Sequence, residues 1–276
     1  MPRRGSIAAI AMGAALAGIA SFALAADQPS YPDWRGQWMR VDRPNWTGTG
    51  VKPPLTPEYQ AIYDANLADM KKGGVGDVPS TFCYPMGMPM MMNVYDPWEL
   101  IVTPEVTYIL TSHVNDSYRR IFTDGRDWPS DADPTFAGYS IGTWLDTDGD
   151  GTYDELQVET RNLKGPRVID ATGVPLHHDN QSVIKERFWR DKADPDMLYD
   201  ELTIYDHALT KPWTRLNRAT RNPDPRPNWV SDVCAEANVW MKIEGEAYYM
   251  GADGKLMPVK KNQRPPDLSH FINRAQ

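Results

Sequence analysis

Phenylalanine, histidine and cysteine are scarce in this chain, with six, five and two residues among 276. Two cysteines cannot form a four-thiolate zinc site or a disulfide-dense scaffold. The histidines show no H-x-H or H-E-x-x-H spacing, so nothing in the pattern points to a His-based zinc site. Neither G-x-G-x-x-G nor a P-loop lysine occurs, and no nucleotide cofactor is expected. The G-x-S-x-G elbow of α/β-hydrolases is absent as well. Cationic residues are in deficit, 29 against 37 acidic ones, for a formal charge of −8. An acidic surface argues against nucleic acid or anionic membrane as the main partner. After residue 26 no run is long and apolar enough to span a bilayer, so no integral membrane span is expected.

The one long apolar run lies at the start. Arg3 and Arg4 precede Ile7–Leu24, followed by small residues at Ala23-Leu24-Ala25-Ala26 and a polar stretch from Asp27. This is the order of a secretory signal peptide over residues 1–26. The mature chain of about 250 residues is expected to be periplasmic or secreted, with a charge of −10 once Arg3 and Arg4 are removed. In an oxidising compartment Cys83 and Cys234 are predicted to pair. Closing so long a loop stabilises by about 4–5 kcal/mol in the chain-entropy model.

Against the shortage of phenylalanine stand ten Trp, thirteen Tyr and 24 Pro. Tyr and Trp combine apolar area with a polar edge and serve both cores and ligand pockets. Thr56-Pro57-Glu58 opens a helix with an N-cap, a proline at the first position and an acid in the first turn, and Gly73-Gly74 closes it. The predicted helix covers 57–71. From Trp98 onward the texture is that of strands. They are read at 100–102, 106–110, 118–122, 139–145, 155–161, 182–189, 198–205 and 213–219, with a first strand around Trp38. In 155–161 Leu156, Val158 and Thr160 alternate with Gln157, Glu159 and Arg161, as in a half-buried strand. About nine strands with mostly short connections predict a mainly β protein, an antiparallel up-and-down barrel whose closure removes its edges. A β-sandwich is the competing architecture. The barrel is expected within 27–220, with the helix as an insertion and 221–276 as an irregular C-terminal arm.

Gly36-x-Trp38 in a first strand followed by a meander resembles a lipocalin-type (calycin) barrel. Further phrases are Cys83-x-Pro85-x-Gly87-Met88-Pro89, Arg119-Arg120-Ile121-x-x-Asp124-Gly125-Arg126, Ser140-Ile141-Gly142-x-Trp144, Lys185-Glu186-Arg187 and Leu209-Thr210-x-Pro212-Trp213. Together they resemble a family of exported bacterial proteins of unknown function, over most of residues 80–220. Many members carry a His where this chain has Tyr139, and a tight turn where it has an Asp/Gly-rich loop. The resemblance implies fold and compartment and transfers no reaction.

That loop is the most regular motif. Asp146, Asp148, Asp150 and Asp154 stand at positions 1, 3, 5 and 9, with Gly151 at 6 and the carbonyl of Thr152 at 7, the spacing of a calcium loop. Gln157 replaces the bidentate Glu at position 12. The motif reads either as a calcium site that stiffens a hairpin or as a solvated turn built of Asp and Gly. Met86, Met88, Met90, Met91 and Met92 beside Cys83 read as soft copper ligands or, more simply, as an apolar plug.

Candidate chemistry rests on His177-His178-Asp179, where an imidazole beside a carboxylate serves as general acid or base near neutral pH. Trp38, Trp98, Trp144 and Trp213, with His113 and Arg120, are candidates to line a ligand cavity. Arg119, Arg120 and Arg126 with Asp124 read as an acid-binding group or a surface ion-pair ladder. The leading expectation is a barrel that binds a small hydrophobic or amphipathic molecule in its interior. The alternatives are an isomerase, lyase or hydratase acting through the His/Asp group, and a structural or assembly protein of the envelope.

Overall fold

The computed structural model of the protein describes residues 29–41, 51–229, 231–234 and 239–269. The signal peptide read at 1–26 and His270 lie outside the described residues. Nine strands close into a barrel in chain order: β1 (Gly36–Arg40), β2 (Trp98–Val102), β3 (Val106–Thr111), β4 (Ser117–Phe122), β5 (Tyr139–Leu145), β6 (Glu155–Arg161), β7 (Val183–Arg190), β8 (Met197–Tyr205) and β9 (Trp213–Arg221). β1 pairs with both β2 and β9, which shuts the seam and leaves no open edge. The fold is mainly β, as expected, and consistent with a lipocalin-like barrel. One seam departs from the antiparallel pattern. β4 and β5 run parallel, through Ile121–Ser140 and Phe122–Ile141. Residues 123–138 carry the chain back along the barrel before β5 begins, as a parallel neighbour requires, so the barrel is mixed rather than purely up-and-down.

Alternation decides what fills the barrel. Leu156, Val158 and Thr160 of β6, Ile184, Glu186 and Phe188 of β7, and Leu198, Asp200, Leu202 and Ile204 of β8 are all buried while their neighbours are more open. In β5 the inward residues are Ser140, Gly142 and Trp144. A Cβ on Gly142 would stand 2.7 Å from Ile121 Cγ2, so only glycine fits between β4 and β6 at that level. Trp34, Trp38 and Trp98 are almost fully buried. Trp34 packs on Trp144 with ring centroids 4.8 Å apart. The methionine cluster behaves as the plug. Met86, Met88, Met90, Met91 and Met92 are all buried in the same core, and Arg40 ties them to the barrel wall by donating to the Met92 carbonyl at 2.8 Å and to Asn217 Oδ1 at 2.6 Å.

A polar layer crosses this apolar interior. Arg119 of β4, 1% exposed, donates through Nη1 to Glu186 Oε1 at 2.8 Å and through Nη2 to Oε2. Its Nε reaches Ser140 Oγ at 3.1 Å, and Nη2 reaches Thr160 Oγ1 at 2.7 Å. Asp200, fully buried, accepts from Asn217 Nδ2 at 2.9 Å. Burial, then the charge of Glu186, pushes its carboxyl well above the usual carboxylate range.

The helix α1 (Pro57–Lys71) starts at Thr56, whose hydroxyl accepts from Tyr59 N at 3.4 Å. Such a cap is worth about 1 kcal/mol. Its buried stripe is Tyr59, Tyr63 and Asn66, spaced by four and three residues. That stripe docks on the long β6–β7 connection: Tyr63 OH donates to Thr172 Oγ1 at 3.3 Å, and Asn66 Nδ2 donates to the Gly173 carbonyl at 3.2 Å. Ile62 and Leu67 stay exposed.

Within 221–276, read as an irregular arm, the described residues include a three-stranded antiparallel sheet, β10 (Trp240–Ile243), β11 (Glu246–Met250) and β12 (Leu256–Pro258). Glu244 and Gly245 both take positive φ, 49° and 84°, as a two-residue hairpin turn demands. Cys83 and Cys234 form a disulfide with Cα atoms 5.6 Å apart. Among the described residues no helix is long and apolar enough to cross a membrane.

Candidate functional site

A cavity of about 810 Å³ lies outside the barrel, between α1, the loop 165–180 and the β10–β11 hairpin, and no barrel strand lines it. Each wall follows from the fold. α1 presents Tyr59, Ile62 and Asn66, the 165–180 loop brings Arg167, Val168, Leu176, His177 and His178, and Pro79 and Phe82 come from the short 3-10 helix beside the disulfide. Lys242 and Glu246 close the hairpin side.

His177 and His178 line this cavity, and His177 also meets Asp179 and, through it, His207, neither of which is on the lining. Asp179 Oδ1 lies 3.0 Å from His177 Nδ1, and Asp179 Oδ2 lies 2.6 Å from His207 Nδ1. The Asp179 carboxyl falls below the usual carboxylate range. Burial works against this, but the Gln181 N–H and the two imidazoles prevail. The bond to Asp179 raises the His207 imidazole in turn. His178 takes a different partner, Tyr59, whose hydroxyl is 2.7 Å from His178 Nδ1 and accepts from the His178 backbone N–H at 3.2 Å. The hydroxyl spends one lone pair on that N–H and meets Nδ1 with its proton or its remaining lone pair, according to the tautomer of His178. His177, Asp179 and His207 bring their ligand atoms within 4.8 Å of one another, two imidazoles and a carboxylate of the kind zinc accepts. As it stands His207 bonds the Asp179 carboxylate, while His177 Nδ1 accepts from the Asp179 backbone N–H at 3.2 Å.

Arg167 is the residue the sequence did not single out. It is 6% exposed and lines the cavity. Nη2 donates to Ser182 Oγ at 2.9 Å, Asn180 Oδ1 stands at 3.4–3.5 Å, and Nη1 has no partner. Ser182 Oγ donates on to Asp206, which also accepts from His177 N and Ala208 N. The lysines opposite are already paired, Lys242 with Asp77 and Lys260 with Asp69 and Glu246.

The remaining predicted residues are elsewhere. Trp38, Trp98, Trp144 and Trp213 are core residues of the barrel, and Trp98 and Trp144 keep buried indole N–H groups without a partner. His113 bonds Asp96, away from the cavity. Arg120 is exposed and stacks over Phe122, 4.7 Å from its centroid. Arg126 pairs with Asp124, holding that carboxyl down to about 2.

The Asp loop closes on itself. Asp146 accepts from the amides of Gly149, Asp150 and Gly151 at 2.8–3.2 Å. Asp154 accepts from Thr147 N at 2.9 Å, and Asp150 accepts from Thr152 N at 2.8 Å. Lys192 Nζ sits 2.7 Å from Asp148 and 3.6 Å from Asp154, where a bound cation would compete with it. Asp146, Asp148, Asp150, Asp154 and the Thr152 carbonyl supply oxygens suited to calcium. Calcium would have to displace that ammonium and several turn bonds.

Compared with protein-family models and with the curated proteins, the chain matches none.

Proposed function

We propose that this is an exported protein that binds a small, largely apolar molecule in the cavity flanking its barrel. The observation that carries the reading is the contrast between two spaces. The barrel interior is packed with tryptophan, methionine and a satisfied Arg119–Glu186 pair. The flanking cavity is roomy, has apolar walls at Ile62, Phe82, Val168 and Leu176, and carries a few convergent polar groups. Ligand sites have this make-up and fall in this size range. The barrel then serves as the rigid scaffold for a site built on its connections. The Cys83–Cys234 bridge supports export, since disulfides persist in oxidising compartments.

Native mass spectrometry of protein purified from a periplasm, set against its denatured mass, tests this. An organic adduct lost on denaturation supports the reading. A bare chain, together with no binding in a screen of amphipathic small molecules, counts against it and favours an envelope assembly role.

A second reading, acid–base catalysis in the same cavity, is favoured by the placement of His177 and His178 on its wall, with Asp179 bonded to His177. It requires turnover that depends on pH and is lost in His178→Ala while ligand affinity stays.

A further inference from the structure

We infer that the cavity takes its ligand by a singly charged acidic group, with Arg167 as the anchor. The inference rests on the binding reading above and names the class of ligand: an organic acid with an apolar body.

A guanidinium is almost never fully buried unless it is paired, because desolvating the charge is costly. Arg167 keeps only 6% of its surface exposed, and among the described residues no carboxylate oxygen lies within 4.0 Å of it. Its one firm bond goes to a neutral hydroxyl, Ser182 Oγ. Asp206 and Asp179 offset its charge only at longer range. Desolvation lowers its pKa from the ordinary guanidinium value, yet arginine stays protonated in proteins. Nη1 is left without a partner and sealed from solvent in a residue that lines the cavity, so a ligand meets it once the side chain turns outward. A buried cation with an unpartnered donor in the lining of a cavity is the complement of a carboxylate.

A second polar group lines the same cavity: His178, held in place through Nδ1 by Tyr59. The other charges of the lining limit the ligand's charge. Lys242 and Lys260 are committed to three carboxylates, Asp69, Asp77 and Glu246. These carboxylates share the lining, so a ligand with one negative charge meets less repulsion than a doubly charged phosphate. The apolar body then rests on Ile62, Phe82, Val168 and Leu176.

The test is calorimetric titration of the full chain with dodecanoate, methyl dodecanoate and acetate. Dodecanoate is expected to bind at least tenfold tighter than its ester, and acetate to bind weakly. Arg167→Gln is expected to erase the preference for acid over ester while keeping affinity for the ester. Equal affinity of acid and ester in the wild-type protein overturns the Arg167 anchor and leaves the cavity as a binding site. Acetate binding as tightly as dodecanoate also overturns it, since the site would then be a bare anion hole. Binding of none of the three overturns the cavity reading itself. The wild-type comparison needs no variant, so it holds even where Arg167→Gln fails to fold.

Discussion

Arg119 on β4 and Glu186 on β7 grip each other across the barrel interior through two hydrogen bonds, the longer 2.8 Å, with both side chains sealed from solvent. Between them Ser140 and Thr160 complete the guanidinium's bonding and also bond one another at 2.8 Å. A buried ion pair contributes little net stability against an apolar replacement, but breaking it strands a charge. Glu186→Gln is therefore expected to destabilise the protein by about 3–5 kcal/mol. The double variant Arg119→Met/Glu186→Leu should recover most of the loss, because Ser140 and Thr160 still satisfy each other. Denaturant unfolding of the three proteins measures this. Equal loss in the single and double variants would contradict the account.

Asp200 gives the barrel a pH signature. Its carboxyl is raised in the folded state by burial and by the charge of Glu186, while in the unfolded chain it ionises near the ordinary value of about 3.9. A raised acid contributes stability that is fully present below the unfolded value and is lost as pH rises toward the folded one. Asp200→Asn carries no such loss and keeps the bond from Asn217. The stability of Asp200→Asn relative to wild type should therefore climb from pH 4 to neutrality. A pH-independent difference would show that Asp200 ionises normally inside the barrel.

The Asp179–His207 bond has the opposite chemistry at the surface. His207 is raised by its bond to Asp179, so its contribution is present below about pH 6.5 and lost as pH rises through the folded value. Asp179 is lowered, so its contribution is present above the ordinary carboxylate pKa and lost as pH falls through the folded value. An NMR titration of the histidines should find His207 above the ordinary imidazole value, returning to it in Asp179→Asn. No movement in that variant would remove the pair.

Lys192 governs the Asp146–Asp154 loop. With its ammonium on Asp148 and near Asp154, thermal melting of the wild-type protein is expected to be the same in millimolar calcium and in chelator. Lys192→Ala should make melting calcium-dependent by freeing two carboxylates. A calcium-stabilised wild type would assign the loop to calcium after all.

Much of the barrel was legible because alternation is a local signal. Tyr139–Leu145 and Glu155–Arg161 begin and end where their patterns do, and Thr56-Pro57-Glu58 announces α1. The parallel seam between β4 and β5 was not legible, since pairing across 123–138 leaves no mark in either strand. The β10–β11 hairpin was missed because Glu244-Gly245 is a weaker turn signal than Asn-Gly. Of the site, the sequence pointed to His177, His178 and Asp179 as neighbours. It could not reveal that Tyr59, more than a hundred residues away, holds His178, or that Arg167 ends up buried without a carboxylate. Those facts depend on how α1 and the 165–180 loop dock, and no short-range pattern encodes that.

On the proposed reading the ligand sits beside the barrel and not within it. Ala65 is exposed on α1 and lines the cavity, so a tryptophan there fills the space without touching the core. Dodecanoate titration of Ala65→Trp beside the wild-type protein is the most direct measurement, with circular dichroism to confirm the fold. At least a tenfold loss of affinity in a normally folded variant is the expected result. Undiminished binding would contradict the account and return the ligand to the barrel interior, beside the unpartnered indoles of Trp98 and Trp144.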